Sequence, residues 1–63
     1  MCLSTAYVVG DGSEKFVADR ITNVNIEGNK VWLTTLLGTQ TVVEGSLKSV
    51  DLNRNVIYIE AKQ

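Results

Sequence analysis

The side chain best suited to chemistry in this 63-residue chain is the thiol of Cys2, its one cysteine. A thiol beside the chain start lies close to the α-amino group and to an amide nitrogen that a metal ion can deprotonate. A thiolate and one or two nitrogens can therefore close chelate rings around one cation. Planar nitrogen and sulfur coordination favours Ni(II) or Cu(II), and a bound metal keeps the thiol deprotonated.

Two interpretations of Cys2 follow from residue type alone. In the first, two chains meet at a twofold axis and supply two thiolates and two or more nitrogens, because one chain has too few ligands for a four-coordinate site. In the second, Cys2 is a small hydrophobic residue at the beginning of the first strand, since free cysteine is among the most buried residue types.

Other kinds of chemistry find little support in the composition. The chain has no His, which excludes Ser-His-Asp and His-metal arrangements, and it has no Gly-rich phosphate-binding loop. The seven Asp and Glu residues nearly all flank predicted turns, and the six Lys and Arg residues are dispersed in a chain of net charge -1. Phosphate binding needs clustered cations. We expect a protein that is not an enzyme and that binds no nucleic acid.

No apolar run approaches the roughly 18 residues that cross a bilayer, and the sequence start has no secretory signal pattern. The expectation is a cytoplasmic protein without a membrane partner.

The elements that must position Cys2 are short strands. Segments rich in Val, Ile, Thr, Leu and Tyr alternate with clusters of Gly, Asn, Asp and Ser, a pattern typical of strands and turns. The predicted strands cover residues 2–9, 15–18, 20–26, 31–37, 39–43, 47–51 and 56–60, some of which fuse into bent strands. The predicted turns lie at residues 10–13, 27–30, 38–39, 44–46 and 53–55.

Side chains alternate with period two in these segments. Val24 and Ile26 share one face, and Val31, Leu33 and Leu37 share another. The turn at residues 27–30 predicts a tight hairpin that joins Ile26 to Val31. The predicted fold is all-β, a small SH3-like, partly open antiparallel barrel, and residues 1–63 form a single domain.

The aromatic residues are Phe16, Trp32, Tyr7 and Tyr58, and we expect them in the core or at a dimer contact. Trp32 is out of phase with Val31 and Leu33, so it faces away from them. Because aromatic residues are enriched at subunit contacts, Trp32 is the first candidate for an interface residue.

Several short motifs follow one another in a characteristic order. Met-Cys-Leu at residues 1–3 precedes a hairpin glycine, Leu-Thr-Thr-Leu-Leu-Gly at 33–38, Val-Glu-Gly at 43–45 and Val-Asp-Leu at 50–52. This order and the short length resemble the CooT family of small nickel-binding proteins, which are associated with maturation of carbon monoxide dehydrogenase. The resemblance spans essentially the whole chain.

What the resemblance implies is a homodimer of small β-barrels. Such a dimer binds Ni(II) at the subunit interface through Cys2, with Met1 as a nitrogen donor, and passes the metal to apo-carbon monoxide dehydrogenase. If Met1 is removed during processing, the donor amine belongs to Cys2 instead.

Two alternatives stay open. The start Met-Cys-Leu also resembles the HypC-like metallocentre-assembly chaperones, although this chain lacks the Ile-Pro-Gly stretch and the His that those proteins usually contain. An RNA- or protein-binding SH3-like module with an incidental cysteine is the other alternative, because such barrels serve many unrelated functions.

Overall fold

Five strands make up the regular structure of residues 3–61, the part of the chain that the computed structural model describes. The strands are β1 (Ser4–Gly10), β2 (Ser13–Glu27), β3 (Lys30–Thr35), β4 (Gln40–Asp51) and β5 (Val56–Ala61). Within these residues no helix has the length and apolarity that a membrane crossing requires.

The strands form a barrel in sequence order, and each strand is hydrogen-bonded to the next. Four neighbouring pairs are antiparallel. The ring closes through β1 and β5, which run parallel over the ladder from Thr5–Val56 to Val9–Glu60. The predicted fold, an all-β, small SH3-like, partly open antiparallel barrel, is confirmed in its class and architecture. The closing pair is parallel, which alternation along the sequence did not indicate.

Two of the five strands are long and bent, and each contains two of the predicted segments. In β2 the register shifts beside Ala6, and Arg20 takes a φ of 53°, so the strand bends where segments 15–18 and 20–26 meet. In β4 the register shifts between Leu47 and Ser49. Gly45 belongs to a predicted turn that is wrong, since residues 44–46 continue the strand; the pairing changes there from β3, at Glu44, to β5, at Gly45. The glycine instead permits close approach of β5, because a Cβ on Gly45 would overlap the carbonyl oxygen of Glu60.

The core is a cluster of small and medium apolar side chains from four strands. Its members are Ala6, Ile21, Val31, Leu33, Ile57 and Ile59. Val31 and Leu33 point inward together, as their spacing predicts. Leu37 does not join them, because β3 ends at Thr35 and Leu37 lies 81% exposed in the following turn.

The hairpin between β2 and β3 has the predicted register, with Ile26 opposite Val31 and Glu27 opposite Lys30. Gly28 adopts a φ of 57°, which a glycine reaches without steric cost. The turn between β4 and β5 is held by Asp51, whose Oδ1 accepts hydrogen bonds from the backbone N–H groups of Asn53 and Arg54, both at 3.0 Å.

Candidate functional site

The two predicted metal ligands, Cys2 and Met1, lie outside the described residues. The description starts at Leu3, which is half-buried, and β1 begins at Ser4. The backbone N–H of Thr5 donates to the carbonyl oxygen of Asn55 at 2.9 Å, so the front of β1 is attached to the β4–β5 turn. The candidate ligands therefore directly precede an anchored strand end.

The described part of the chain contains no group of three or more Cys, His, Asp or Glu side chains that could hold a metal ion. Its carboxylates lie mostly on exposed turns and strand faces. Within residues 3–61, then, no complete set of metal ligands comes together.

An open groove lies beside the start of β1. We call it the front groove, and its volume is about 370 Å³. Its apolar lining residues are Ile21, Val24, Ile26, Leu47, Val50 and Ile57. Its polar lining residues are Ser4, Thr22 and Asn23, all of them uncharged.

The rim of the front groove is more exposed than a strand pattern predicts. Ile26, on the predicted inner face of β2, is 54% exposed, and across the groove Leu47 and Val50 of β4 are 37% and 45% exposed. Ile21 and Ile57 at its floor are buried. Alternation correctly placed Val24 and Ile26 on one face of β2. The barrel does not cover that face at Ile26, which is therefore exposed.

A second apolar surface lies at the turn between β3 and β4, and we call it the turn patch. Phe16, Leu36 and Leu37 are its exposed apolar members. The N–H of Leu36 donates to the carbonyl oxygen of Arg20 at 2.8 Å, which ties this turn to the bend in β2. The turn patch and the front groove share no lining residue.

Three aromatic rings stand in a row on the outer face of β2, β1 and β5. Tyr7 contacts Phe16 edge to face, with centroids 6.1 Å apart, and stacks on Tyr58 at 6.2 Å. Glu14 and Glu60 both lie opposite Val9, two residues further along the same face. The prediction of core positions for these aromatic residues is wrong, because the buried core holds aliphatic side chains; a role in a dimer contact stays a prediction.

Trp32 faces away from the core, as its phase predicts, and it lies between Asn25 and Val42 in the ladder. The side chain is half-buried, and its indole Nε1 is buried without a hydrogen-bond partner among the residues described. Trp32 does not line the front groove. Its role as an interface residue stays a prediction.

The order of motifs along the chain corresponds to a known family. Residues 1–60 match the family model described as CO dehydrogenase accessory protein CooT. The chain belongs to the CooT family. The matched stretch covers nearly all of this CooT chain and includes Met1 and Cys2.

A solved structure supports the fold of this CooT-family chain. The crystal structure of a protein assigned to CooT from Carboxydothermus hydrogenoformans is similar, with a TM-score of 0.88 and 19% sequence identity. The similarity covers 98% of this chain and 100% of that one. At this identity the likeness shows the fold alone. No curated protein sequence matches the chain significantly.

Proposed function

We propose that this CooT-family protein carries Ni(II) as cargo for the maturation of carbon monoxide dehydrogenase. Cys2 supplies a thiolate, and the amino group and first amide at the start of the chain, that of Met1 or of Cys2 after processing, supply nitrogen donors. Two copies share one ion. The observation that supports the proposal most is the family match over residues 1–60, which includes the motif with Cys2.

The donor chemistry suits this cargo. Thiolate and nitrogen ligands bind Ni(II) and Cu(II) in preference to Mg²⁺ or Ca²⁺, and binding removes a proton from the thiol. Because residues 3–61 bring no group of three candidate ligands together, the proposed site depends on the chain start and on a second copy. The role is transfer of a metal rather than catalysis, the recipient is the apo-enzyme, and the compartment is the cytoplasm.

The first test is Cys2→Ser, which replaces a soft thiolate by a hydroxyl. We expect nickel binding to be lost while the far-ultraviolet circular dichroism spectrum stays unchanged. Native mass spectrometry of the wild-type protein should give one nickel per two chains, and a sulfur-to-nickel charge-transfer band should appear in the near ultraviolet. A Cys2→Ser protein with wild-type nickel affinity would contradict the proposal.

A matched control separates the thiol from the rest of the chain start. Ser4→Cys in the Cys2→Ser background restores a thiol two residues away, where it cannot form the same chelate rings with the terminal amine. We expect this double variant to bind nickel at least tenfold more weakly than wild type. Equal affinity would show that a nearby thiol is enough and that the terminal chelate is not formed.

An RNA- or protein-binding module is the second candidate, and the row of rings formed by the exposed Phe16 and the half-buried Tyr7 and Tyr58 favours it. Aromatic rings on an outer sheet face can stack on bases, with each stack contributing roughly 1–3 kcal/mol. The carboxylates of Glu14 and Glu60 on the same face repel phosphate, which makes RNA the weaker option. Salt-dependent retention of RNA by the Cys2→Ser variant would favour this candidate over nickel transport.

A further inference from the structure

We infer that the outer face of β2, β1 and β5 is a docking surface for an arginine-bearing segment of another protein. We call this surface the aromatic face, and its members are Phe16, Tyr7, Tyr58, Glu14 and Glu60. The inference goes beyond nickel transport and does not depend on it. Of the two candidate functions it develops the second, protein binding, by naming the chemistry of the partner.

The aromatic face has no second layer of structure over it. The five strands form one ring, and within residues 3–61 no helix or further sheet packs on the outside of that ring. Phe16 is 60% exposed, while Tyr7 and Tyr58 are half-buried. Three of the four aromatic residues of the chain lie here, whereas the described core cluster consists of aliphatic side chains. The rings therefore offer contact surface to a partner rather than filling the barrel.

Two carboxylates lie one step further along the same face. Glu14 and Glu60 both lie opposite Val9, one on each neighbouring strand. Their Cα atoms are thus about 10 Å apart, twice the spacing of adjacent strands. Val9 is two residues from Tyr7, so both side chains point to the same side of the sheet. Diagonal neighbours across a ladder lie about 7–8 Å apart, within reach of a long side chain. A cation seated on Tyr7 can therefore reach a carboxylate.

A second pair of glutamates on the barrel shows what is missing at the aromatic face. Glu27 and Glu44 also flank one residue of a central strand, and that residue is Lys30. At the aromatic face the flanked residue is the uncharged Val9. Within residues 3–61, neither carboxylate beside Val9 takes part in an ion pair. The chain thus places a cation of its own between one pair of glutamates and leaves the other pair available to a cation from a partner.

The cleft next to these carboxylates is also net negative. Its volume is about 360 Å³, and its charged lining residues are Asp11, Glu14, Glu60 and Lys48. Three carboxylates outnumber one ammonium group, so the cleft attracts a cationic segment and repels phosphate or an acidic one. Lys48 weakens this attraction, which gives the test a variant with an effect of the opposite sign.

Arginine is the cation that suits this combination of groups best. Its guanidinium group is planar, stacks on aromatic rings and donates hydrogen bonds to carboxylates. It is also more weakly hydrated than the ammonium group of lysine, so it loses less when it leaves water. Carboxylates without rings offer no stacking that would favour the guanidinium group. A preference for arginine over lysine is therefore the property that the rings add.

The test is an NMR titration of the full chain with the blocked peptide acetyl-Gly-Arg-Gly-Arg-Gly-amide at low ionic strength. We expect the amide signals of Tyr7, Val9, Glu14 and Glu60 to shift, and ring currents to move the arginine side-chain protons upfield. The same peptide with lysine in place of arginine should bind about threefold more weakly, the size of an exposed cation–π contact. Equal affinity for the two peptides, or shifts confined to other strands, would overturn the inference.

Matched charge variants separate the aromatic face from the net charge of the protein. The double variant Glu14→Gln/Glu60→Gln should raise the dissociation constant of the arginine peptide about fivefold. Glu27→Gln/Glu44→Gln removes the same two charges elsewhere and should change the constant less than about twofold. Lys48→Gln should lower it. If the two double variants behave alike, binding follows net charge and the assignment of this face is wrong.

Two further variants test the rings. Phe16→Leu and Tyr7→Leu each remove a ring while keeping an apolar side chain, and each should reduce the preference for arginine over lysine. If Tyr7→Leu fails to fold, the exposed Phe16 decides the matter. An unchanged preference would overturn the inference. So would a single-stranded oligouridylate that binds to the aromatic face in place of the peptide, because RNA would then be the partner.

The outcomes for the aromatic face and for nickel transport are distinguishable. Cys2→Ser should bind the arginine peptide as the wild-type protein does and lose its nickel. If the wild-type protein binds nickel but not the peptide, nickel transport stands and the docking surface falls. If Cys2→Ser keeps nickel and the peptide still binds, the proposed metal site falls and the docking surface stands.

Discussion

At the scale of single residues, Gly45 constrains the barrel most. Its backbone N–H donates to the carbonyl oxygen of Asn29 at 2.7 Å, and on its other side the backbone of Glu60 occupies the space a Cβ would need. The residue thus lets three parts of the chain meet at one point. A side chain here must push β4 away from β5.

Gly45→Ala should destabilise the protein by about 1–3 kcal/mol, the usual cost of overpacking against atoms that cannot move aside. The midpoint of urea unfolding, determined at fixed protein concentration, measures this loss of stability. Gly10→Ala is the control, because a Cβ there would lie 3.8 Å from the Cβ of Ala61, an ordinary contact. Equal midpoints for the two variants would show that β5 moves away from residue 45 with little loss of stability.

The same residue explains a limit of the sequence prediction. Glu-Gly-Ser is typical of a turn, and its composition does not distinguish a reversal of the chain from a bend within a strand. Arg20 gives the opposite case, since no turn-forming residue announces its positive φ, although the predicted break between segments lies one residue away. Local composition indicated both positions as breaks between strands. Whether the chain turns there or continues as a strand depends on the strands that pair with it.

At the scale of elements, the turn between β4 and β5 connects the metal-site hypothesis to the barrel. Asp51 organises the turn through its two hydrogen bonds to backbone N–H groups, and the carbonyl oxygen of Asn55 at the end of the turn accepts from Thr5. This turn therefore holds the start of β1 in place. We therefore expect that a change in the structure of this turn also changes how firmly the start of β1 is held.

Asp51→Ala removes the acceptor and should cost about 1 kcal/mol, similar to the loss of a side-chain cap at a helix start. Asp51→Asn keeps an oxygen in the same position and should lie closer to wild type. The urea midpoint measures both, and amide hydrogen exchange at Thr5 should accelerate in the alanine variant. Unchanged exchange at Thr5 would mean that the turn and β1 open independently.

At the scale of the whole molecule, one aliphatic cluster joins four strands. Leu33 is fully buried at its centre, together with Val31 and Ile59. The alternation of Val31 and Leu33 was enough to predict their inward position. The exposure of Leu37 and Ile26 was not predictable from periodicity, because it depends on where β3 ends and on which positions of the inner face the rest of the barrel covers.

Leu33→Ala should destabilise the protein by about 2–5 kcal/mol, since truncation leaves a cavity that the ring cannot fully close. Leu37→Ala makes the same substitution at an exposed site and should stay within about 0.5 kcal/mol of wild type. Thermal unfolding followed by circular dichroism compares the two. Similar melting temperatures would place the stabilising contacts elsewhere, for example in an interface that covers Leu37.

For the candidate site, the sequence predicts the ligand type and indicates the family, while the structure describes the strands that follow the predicted ligands. Cys2 and Met1 precede the described residues, so their geometry remains a prediction. The front groove was not predictable, because its apolar residues come from β2, β4 and β5 and are separated by up to 36 positions along the chain, from Ile21 to Ile57. Only the pairing of strands that are distant in the sequence brings these apolar residues together on one side of the barrel.

The parallel pairing of β1 with β5 has a practical consequence for handling the protein. Because the two strands point the same way, β1 starts beside Val56 while β5 finishes beside Val9 and Gly10, at the opposite end of the ladder. An affinity tag fused after residue 63 would thus follow the end of β5, which lies at the opposite end of the ladder from the start of β1, whereas one fused ahead of Met1 would acylate the amine that the proposed chelation requires.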